Sequence, residues 1–487
     1  MNILLNKYIP IFTITFFLSS IKIGYAISNK KQKQPNILLI YVDDMGYNDL
    51  GCYGSKNERI KTPNIDRLAK EGIRFTNYLS ASNVCSPSRG AILTGRYPQR
   101  NGLPVCPGPD DKPGNELWNQ HVSLPLKEIT IAEALKPQGY ATAAFGKWHL
   151  GTLSEYGPRK QGFDIYEGRP HNFHVGRAGT WYINEKPQDE IKYNQAHQRL
   201  TDATINFMAK QQKEDKPFFI YLAHYLVHGP WSPNKEFCTP EEWESYKKKK
   251  GSMNPFVYPA MVRELDHHIG LLLDKLKELN IDKETMVILA SDNGPWLPAG
   301  SSFPLSGGKY YTLEGGHRVP AIIRWPEVIP QNQVSDQMVS ALDILPTIAA
   351  ATNTTLTNDR KYDGYNLLPL FKKEIKESPR NNFAYYNGLT LEAIRIGDWK
   401  LHLPRDPSIP SSCVYWAKKK NKKIVDPILN NLETDVAEKS HINNSDKLNE
   451  LMSLAKKTRE ELGDWNMEGT DRPKNTYPKN LNYGRKK

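Results

Sequence analysis

Asn36-Ile37-Leu38-Leu39-Ile40-Tyr41-Val42-Asp43-Asp44 is an unbroken apolar run that ends on two acids. Its side chains do not alternate between apolar and polar, so it suits a strand covered on both faces, as in the parallel sheet of an α/β protein. The two carboxylates then fall at the strand's C-terminal end, where open α/β sheets place their ligand sites. Further strands are predicted at residues 140–145, 218–223, 286–290 and 319–324, each beside a polar cluster. Helical periodicity runs between them, at 130–135, 201–211 and 259–279, the last with Met261, Val262, Leu265, Ile269, Leu272 and Leu273 on one face. This alternation predicts a large, mostly parallel sheet flanked by helices. Past Leu370 the texture changes. Residues 393–396, then Gly397-Asp398, then residues 399–403 read as a hairpin with a two-residue turn.

The chain has 487 residues, 39% hydrophobic and 24% charged, which is globular in composition and long enough for two domains. Residues 1–26 stand apart: Lys7 and Lys22, no acid, an apolar stretch at 11–18 and the small-residue exit Gly24-Tyr25-Ala26. They read as a cleaved secretory signal of a periplasmic or secreted protein. The apolar stretch is short for a bilayer, so no stable membrane span is expected after cleavage. The formal charge of +12, two lower without the leader, suits a polyanionic partner. Export and the lack of a nucleic-acid-binding motif argue against nucleic acid. Boundaries are set at 27–372 for the α/β domain and 373–487 for the C-terminal subdomain.

The second decisive stretch is Cys85-Ser86-Pro87-Ser88-Arg89, continuing to Thr94-Gly95-Arg96. Pro87 suits the first turn of a helix and Gly95 its close about two turns later. Cys85 therefore sits at a helix mouth, where free N–H groups favour an anion, and Arg89 lies one turn on. This motif resembles the signature of type I, formylglycine-dependent sulfatases, of arylsulfatase-like type in the alkaline phosphatase superfamily. Other matches to that family follow in order across nearly the whole mature chain. The resemblance implies an alkaline-phosphatase-like fold with a smaller C-terminal α+β region, whose antiparallel sheet the 393–403 hairpin resembles and whose following segment residues 432–438 resemble. It also implies conversion of Cys85 to Cα-formylglycine by a maturation enzyme, one Ca2+ per chain, and hydrolysis of sulfate esters.

Asp43-Asp44 alone reads equally as a solvated pair, and Asp292-Asn293-Gly294 as a turn. Together they offer four hard oxygen donors, which suit Ca2+ or Mg2+ rather than Zn2+. The resemblance makes Asp43, Asp44, Asp292 and Asn293 the metal ligands, with modified Cys85 also beside the ion. Phe145-Gly146-Lys147-Trp148-His149-Leu150-Gly151 matches a family motif, and in an extended segment Lys147 and His149 would project to the same side. His228, before Gly229-Pro230, matches the histidine that faces the leaving group, although the family more often shows Pro-His-x-Pro and Val227 departs from it. His224 is its nearby competitor. Lys309 opens a stretch that resembles the family's Lys followed by Glu-Gly-Gly-x-Arg-Val-Pro, and by that likeness contacts sulfate. Glu314 and Arg318 read as structural, and His317 as facing substrate or solvent. His171, His174 and Arg177 are candidate substrate contacts, and the charge run at 418–423 reads as a solvated loop.

A thiol attacking sulfur would leave an adduct with no internal route to release, whereas hydrated formylglycine carries two hydroxyls on one carbon. The resemblance thus implies attack by one hydroxyl with Asp292 as base, charge on the sulfate offset by the metal, Arg89, Lys147 and Lys309, and protonation of the leaving oxygen by His228 or Lys309. His149 would orient the formylglycine oxygen. The basic, exported chain directs this chemistry to a sulfated polysaccharide or oligosaccharide, an algal glycan or a glycosaminoglycan. The rivals are a phosphodiesterase or phosphonate hydrolase of the same superfamily and a catalytically inactive sulfoglycan-binding protein. With Cys85 modified, Cys52, Cys106, Cys238 and Cys413 allow three disulfide pairings, among which the sequence does not choose.

Overall fold

The unbroken run forms β1 (Asn36–Val42), and every one of its residues is buried. The structure, a computed structural model, describes residues 33–107, 122–173, 178–249, 253–405 and 423–473. The leader at 1–26, His174, Arg177, Cys413 and most of the 418–423 run lie outside the described residues.

The other strands follow in chain order: β2 (Ile73–Phe75), β3 (Tyr78–Leu79), β4 (Ala141–Gly146), β5 (Ile165–Gly168), β6 (Gly179–Ile183), β7 (Lys186–Ile191), β8 (Phe218–Ala223), β9 (Thr285–Ser291), β10 (Ala321–Arg324), β11 (Gln333–Ser335), β12 (Val339–Ser340), β13 (Asn382–Asn387), β14 (Thr390–Ile396), β15 (Trp399–His402) and β16 (Ile428–Asn431). Ten of them make one sheet in the order β11-β2-β10-β9-β1-β8-β4-β5-β6-β7. Its central strands, β9 to β5, are all parallel. β1 feeds two cores. Leu38, Ile40 and Val42 pack with the helices Tyr193–Lys213 and Tyr258–Glu278 through Leu200, Met208, Leu265 and Ile269. Ile37, Leu39 and Tyr41 pack on the opposite face with Ile92 and Leu93 of the helix Cys85–Thr94 and with Ile344 and Ile348. Each apolar side chain so enclosed contributes about 1.5–3 kcal/mol, which is why no charged or amide side chain interrupts the run between Asn36 and Asp43.

The sheet is mixed and mostly parallel, as expected: β10 runs antiparallel to β9 and β2, and β6 and β7 follow antiparallel beyond β5, while β11 is parallel to β2. β10 runs against β9 because the chain stays at the same edge of the sheet between residues 292 and 320 and re-enters from there. β6 and β7 form a hairpin whose turn residues, Asn184 and Glu185, both have positive φ (48° and 63°). This is the two-residue turn that matches strand twist, and Glu in place of the usual Gly hid it.

β13 to β16 make a separate antiparallel sheet, with Gly397 at φ 53° turning β14 into β15 as predicted. Phe383, Tyr385, Leu391 and Leu401 form a third core with Leu451 and Ala455 of the helix Ser445–Leu462 and with Ala91 and Tyr97 from the Cys85 region. No helix among the described residues is long and apolar enough to cross a membrane.

Candidate active site

The site begins with strand register. β1 and β9 align Val42 with Ser291, so the next residues, Asp43 and Asp292, leave the sheet side by side, followed by Asp44 and Asn293. Asp44 turns with φ 60°, its N–H donates to Asp292 Oδ1 at 3.1 Å, and Asn293 Nδ2 donates to Asp44 Oδ1 at 2.7 Å. Two oxygens here, Asp43 Oδ1 and Asn293 Oδ1, are buried without a partner. Carboxylate oxygens of Asp43 and Asp44 and the Cys85 sulfur lie within 4.8 Å of one another. Hard oxygens of this kind beside a buried sulfur suit a Ca2+ or Mg2+ ion. These residues fit the metal that the resemblance implies.

Cations surround the acids. Arg89 Nη2 donates to Asp292 Oδ2 at 2.6 Å and lies 3.5 Å from Asp43. Lys147 Nζ donates to Asp43 at 2.8 Å, and Lys309 Nζ to both Asp44 oxygens at 2.7 and 2.8 Å. Burial would raise Asp43's pKa, yet Lys147, His228, Arg89 and Lys309 outweigh it and hold the carboxyl far below the usual range. Asp292 goes the other way, raised by burial and then by the charge of Asp43. Three permanent cations thus face these acids, so a bound divalent ion would leave the site net positive, suited to an anionic ester.

Cys85 opens its helix as predicted. Val84 is extended, and Gly95 closes the helix at φ 65° with its N–H on the Ala91 carbonyl. The thiol's pKa is pushed up, first by a hydrogen bond with the Cys106 side chain and then by burial. A thiol so held stays protonated and is a poor nucleophile. Cys52, Cys85, Cys106 and Cys238 are all free thiols.

Lys147 and His149 approach the site by a route other than the predicted one. Gly146 (φ 102°) and His149 (φ 57°) turn the backbone after β4, so the same-side alternation of an extended segment does not apply. His149 stands edge-on against His171 with ring centroids 5.2 Å apart, its Nδ1 buried and unpaired. Burial, then Lys147 and His171, lower its pKa and keep it neutral. His228 Nε2 lies 3.5 Å from Asp44, and Nδ1 faces the Gly229 carbonyl at 2.5 Å. His224 points into the core below, against His197 and His268. His317 faces neither substrate nor solvent: it is buried, with Nδ1 3.0 Å from the Ser80 carbonyl and its ring against Phe383 and Tyr385.

Sequence reasoning missed Asn172. Oriented to suit its neighbours, its amide nitrogen donates to Asp43 at 3.2 Å and its oxygen accepts from Lys147 Nζ at 2.9 Å and His228 Nε2 at 3.0 Å. An amide that can turn suits a histidine that changes protonation state. Asn172 belongs to no motif. The available signal was topological: β5, parallel to β4, ends at the same sheet edge, so the loop after it had to enter the site.

The chain is similar to known proteins along most of its length. A family model described as Sulfatase matches residues 35–354, and one described as the C-terminal region of aryl-sulfatase matches 378–476. Human N-acetylgalactosamine-6-sulfatase is 36% identical over 394 residues, covering 76% of this chain and 71% of that protein. Human arylsulfatase A is 35% identical over 404 residues, covering 76% and 75%. Among solved structures, Ps i-CgsB in complex with k-i-k-neocarrahexaose superposes with a TM-score of 0.73 at 30% identity, covering 90% of this chain and 96% of that one.

Proposed function

The chain belongs to the sulfatase family, and on that premise we propose that it is an exported, Ca2+-dependent enzyme with Cys85 matured to formylglycine, hydrolysing sulfate esters on a sulfated polysaccharide or oligosaccharide. The observation that carries the reading is the convergence of Asp43, Asp44, Cys85, Arg89, Lys147, His228, Asp292, Asn293 and Lys309 from separate segments around two orphaned oxygens. The glycan part draws on the formal charge of +12 and on relatives whose names specify a sulfated amino sugar and a complex with a neocarrahexaose. Residues 1–26 act as the removed leader, 27–372 as the catalytic domain and 373–487 as a C-terminal subdomain.

Asp43, Asp44, Asp292 and Asn293 would hold the ion, which when bound supplies Lewis-acid polarisation of a sulfate oxygen. Formylglycine hydrate, made from Cys85 by a maturation enzyme, supplies the nucleophilic oxygen that a buried protonated thiol lacks. The chain's own groups do the rest. Lys147 and Lys309, now paired to Asp43 and Asp44, are placed to hand their N–H donors to the ester's nonbridging oxygens, and Arg89 keeps Asp292 and Asp43 in place. Removing one such donor typically costs about 100- to 1000-fold in rate. Asp292, held by Arg89 at 2.6 Å, is the carboxylate that would take a proton from the nucleophile. His228, whose side chain is 21% exposed, donates to the departing sugar oxygen, with Asn172 orienting its Nε2.

The test is sulfate release from a panel of defined sulfated oligosaccharides, run beside phosphodiester and phosphonate substrates, with Cys85 conversion verified by mass spectrometry. Sulfate release should exceed phosphodiester turnover. Cys85→Ala should lower it by about 10⁴-fold or more while oligosaccharide binding persists. Faster phosphodiester turnover, or undiminished hydrolysis by that variant, would overturn the reading.

A further inference from the structure

Lys309 sits on a loop whose far side faces away from the active site. That side is held by the small antiparallel sheet and the segment that follows it. Ser306 Oγ donates to the Ala437 carbonyl at 2.6 Å, Thr312 Oγ1 to Glu392 Oε2 at 2.7 Å, and the Glu314 N–H to Glu438 Oε2 at 2.6 Å. Glu314 Oε1 accepts from Tyr385 OH at 2.7 Å and from Lys400 Nζ at 3.0 Å, and Oε2 from Arg395 Nη1 at 3.1 Å. The same Lys400 ammonium reaches Glu438 Oε1 at 2.8 Å, where His402 Nε2 also arrives at 2.8 Å. The side chains of Glu314, Lys400 and Glu438 are all fully buried. The near side of the loop is wedged into the site: Lys309 N–H donates to the Pro295 carbonyl at 2.9 Å, and the Gly316 carbonyl accepts from Gly294 N–H, next to Asn293, at 3.0 Å. A Cβ on Gly294 would lie 1.9 Å from the Gly315 carbonyl oxygen, so the loop has no slack on that side.

We propose that Lys400, by tying Glu314 to Glu438, is a positioning residue for Lys309, so that the small sheet sets the reach of a sulfate-binding ammonium it does not touch. This rests on the reading of Lys309 as a sulfate contact. Lys400 joins two carboxylates that would otherwise repel across the loop, one on the loop itself and one on the segment after β16. Without that cation Glu314 and Glu438 move apart, and the loop moves with Glu314. A shift of about 1 Å in a group that grips the reacting anion is enough to cost up to about 100-fold in rate.

The experiment is a double-mutant cycle on kcat/KM for a sulfate ester, using matured, Ca2+-loaded full-length enzyme. Lys309→Ala should lose about 100-fold or more. Lys400→Met should lose about tenfold, and the double variant no more than Lys309→Ala alone, because residues that act through one group are not additive. Lys400→Arg, which keeps the cation, should recover most of the loss. Leu451→Ala, which weakens the same C-terminal core away from the clamp, should lower the melting temperature with kcat/KM within about twofold of the parent. If Lys400→Met does not fold, the isosteric Glu438→Gln enters the same cycle. Additive losses, or a silent Lys400→Met or Glu438→Gln beside a disabled Lys309→Ala, would overturn this proposal alone. A silent Lys309→Ala would strike the functional reading of that lysine and this proposal with it.

Discussion

Two clusters of buried charge lie on opposite sides of the loop that carries Lys309, and they differ in how completely they are paired. Around Glu314 and Glu438 every carboxylate oxygen has a partner: Tyr385 and Lys400 on one, Arg395 on the next, Lys400 and His402 on the third, and the Glu314 N–H on the fourth. Around Asp43 and Asp292 the cations are as close, but Asp43 Oδ1 and Asn293 Oδ1 have none. Ion pairs do not distinguish a working site from a structural one, since both clusters are buried and charged. Bare oxygen grouped with other ligand atoms does: among the described residues only Asp43, Asp44 and Cys85 bring three such atoms within 4.8 Å of one another.

The largest effect that separates them is expected at Asp292. Asp292→Asn should cut kcat/KM by about 1000-fold and abolish the thermal stabilisation by Ca2+, which for the parent at a hundredfold excess over its Kd is worth about 2.7 kcal/mol. In metal-free buffer the same variant should unfold no earlier than the parent, because burial and Asp43 already disfavour the Asp292 charge. Calorimetry with and without chelator makes the comparison. A large loss of stability in the metal-free state would mean that Asp292 is held as tightly as Glu314 and that the contrast is wrong.

Glu314→Gln is the mirror experiment. It breaks a fully paired buried network and should cost about 3–5 kcal/mol whether or not metal is present, with unchanged Ca2+ response per bound ion. Its pH signature follows from the direction of the shift. Burial would raise the Glu314 pKa, but Lys400, Arg395 and Arg318 hold it far below the ordinary value of 4.5, and Lys400 does the same for Glu438. A depressed carboxylate contributes stability above its unfolded pKa and loses it as pH falls through the folded one. Parent stability should therefore decline below about pH 4.5, and that decline should be shallower in Glu314→Gln. An identical acid limb in both proteins would remove Glu314 from the ledger of what holds the loop.

Much of the open cluster could be read from sequence, and almost none of the closed one. The open cluster hangs on strand ends: the apolar runs before Asp43 and Asp292 mark two buried strands, and a parallel sheet brings such ends to one edge. The helix mouth at Cys85 was legible from Pro87 and Gly95, because each fixes a local backbone state. The closed cluster has no local pattern. Glu314 and Lys400 meet across 86 residues, between a loop and a strand of another sheet, and only the fold supplies that proximity. The misreadings share a cause. The relation of Lys147 to His149 and the entry of Asn172 both depend on turns, at Gly146, at His149 and after β5, where no periodicity applies.

The smallest expected effect tests whether uncharged support matters at all beside these networks. Tyr193, the first residue of its helix, donates from its hydroxyl to the His228 carbonyl at 2.6 Å and lies 3.1 Å from that of Tyr225, with its ring packed edge-on against Phe173 and His197. Tyr193→Phe keeps the ring and removes only the hydrogen bond, a change worth about 1 kcal/mol. Because the bond ends on the backbone of His228, the loss should appear as about a fivefold fall in kcat with KM nearly unchanged. Folding stability should fall by no more than about 1 kcal/mol, since the ring contacts remain. A loss as large as that of Asp292→Asn would place the control of His228 in the neutral core beneath the sheet, and buried charge would no longer be the feature that divides this molecule into a working region and a supporting one.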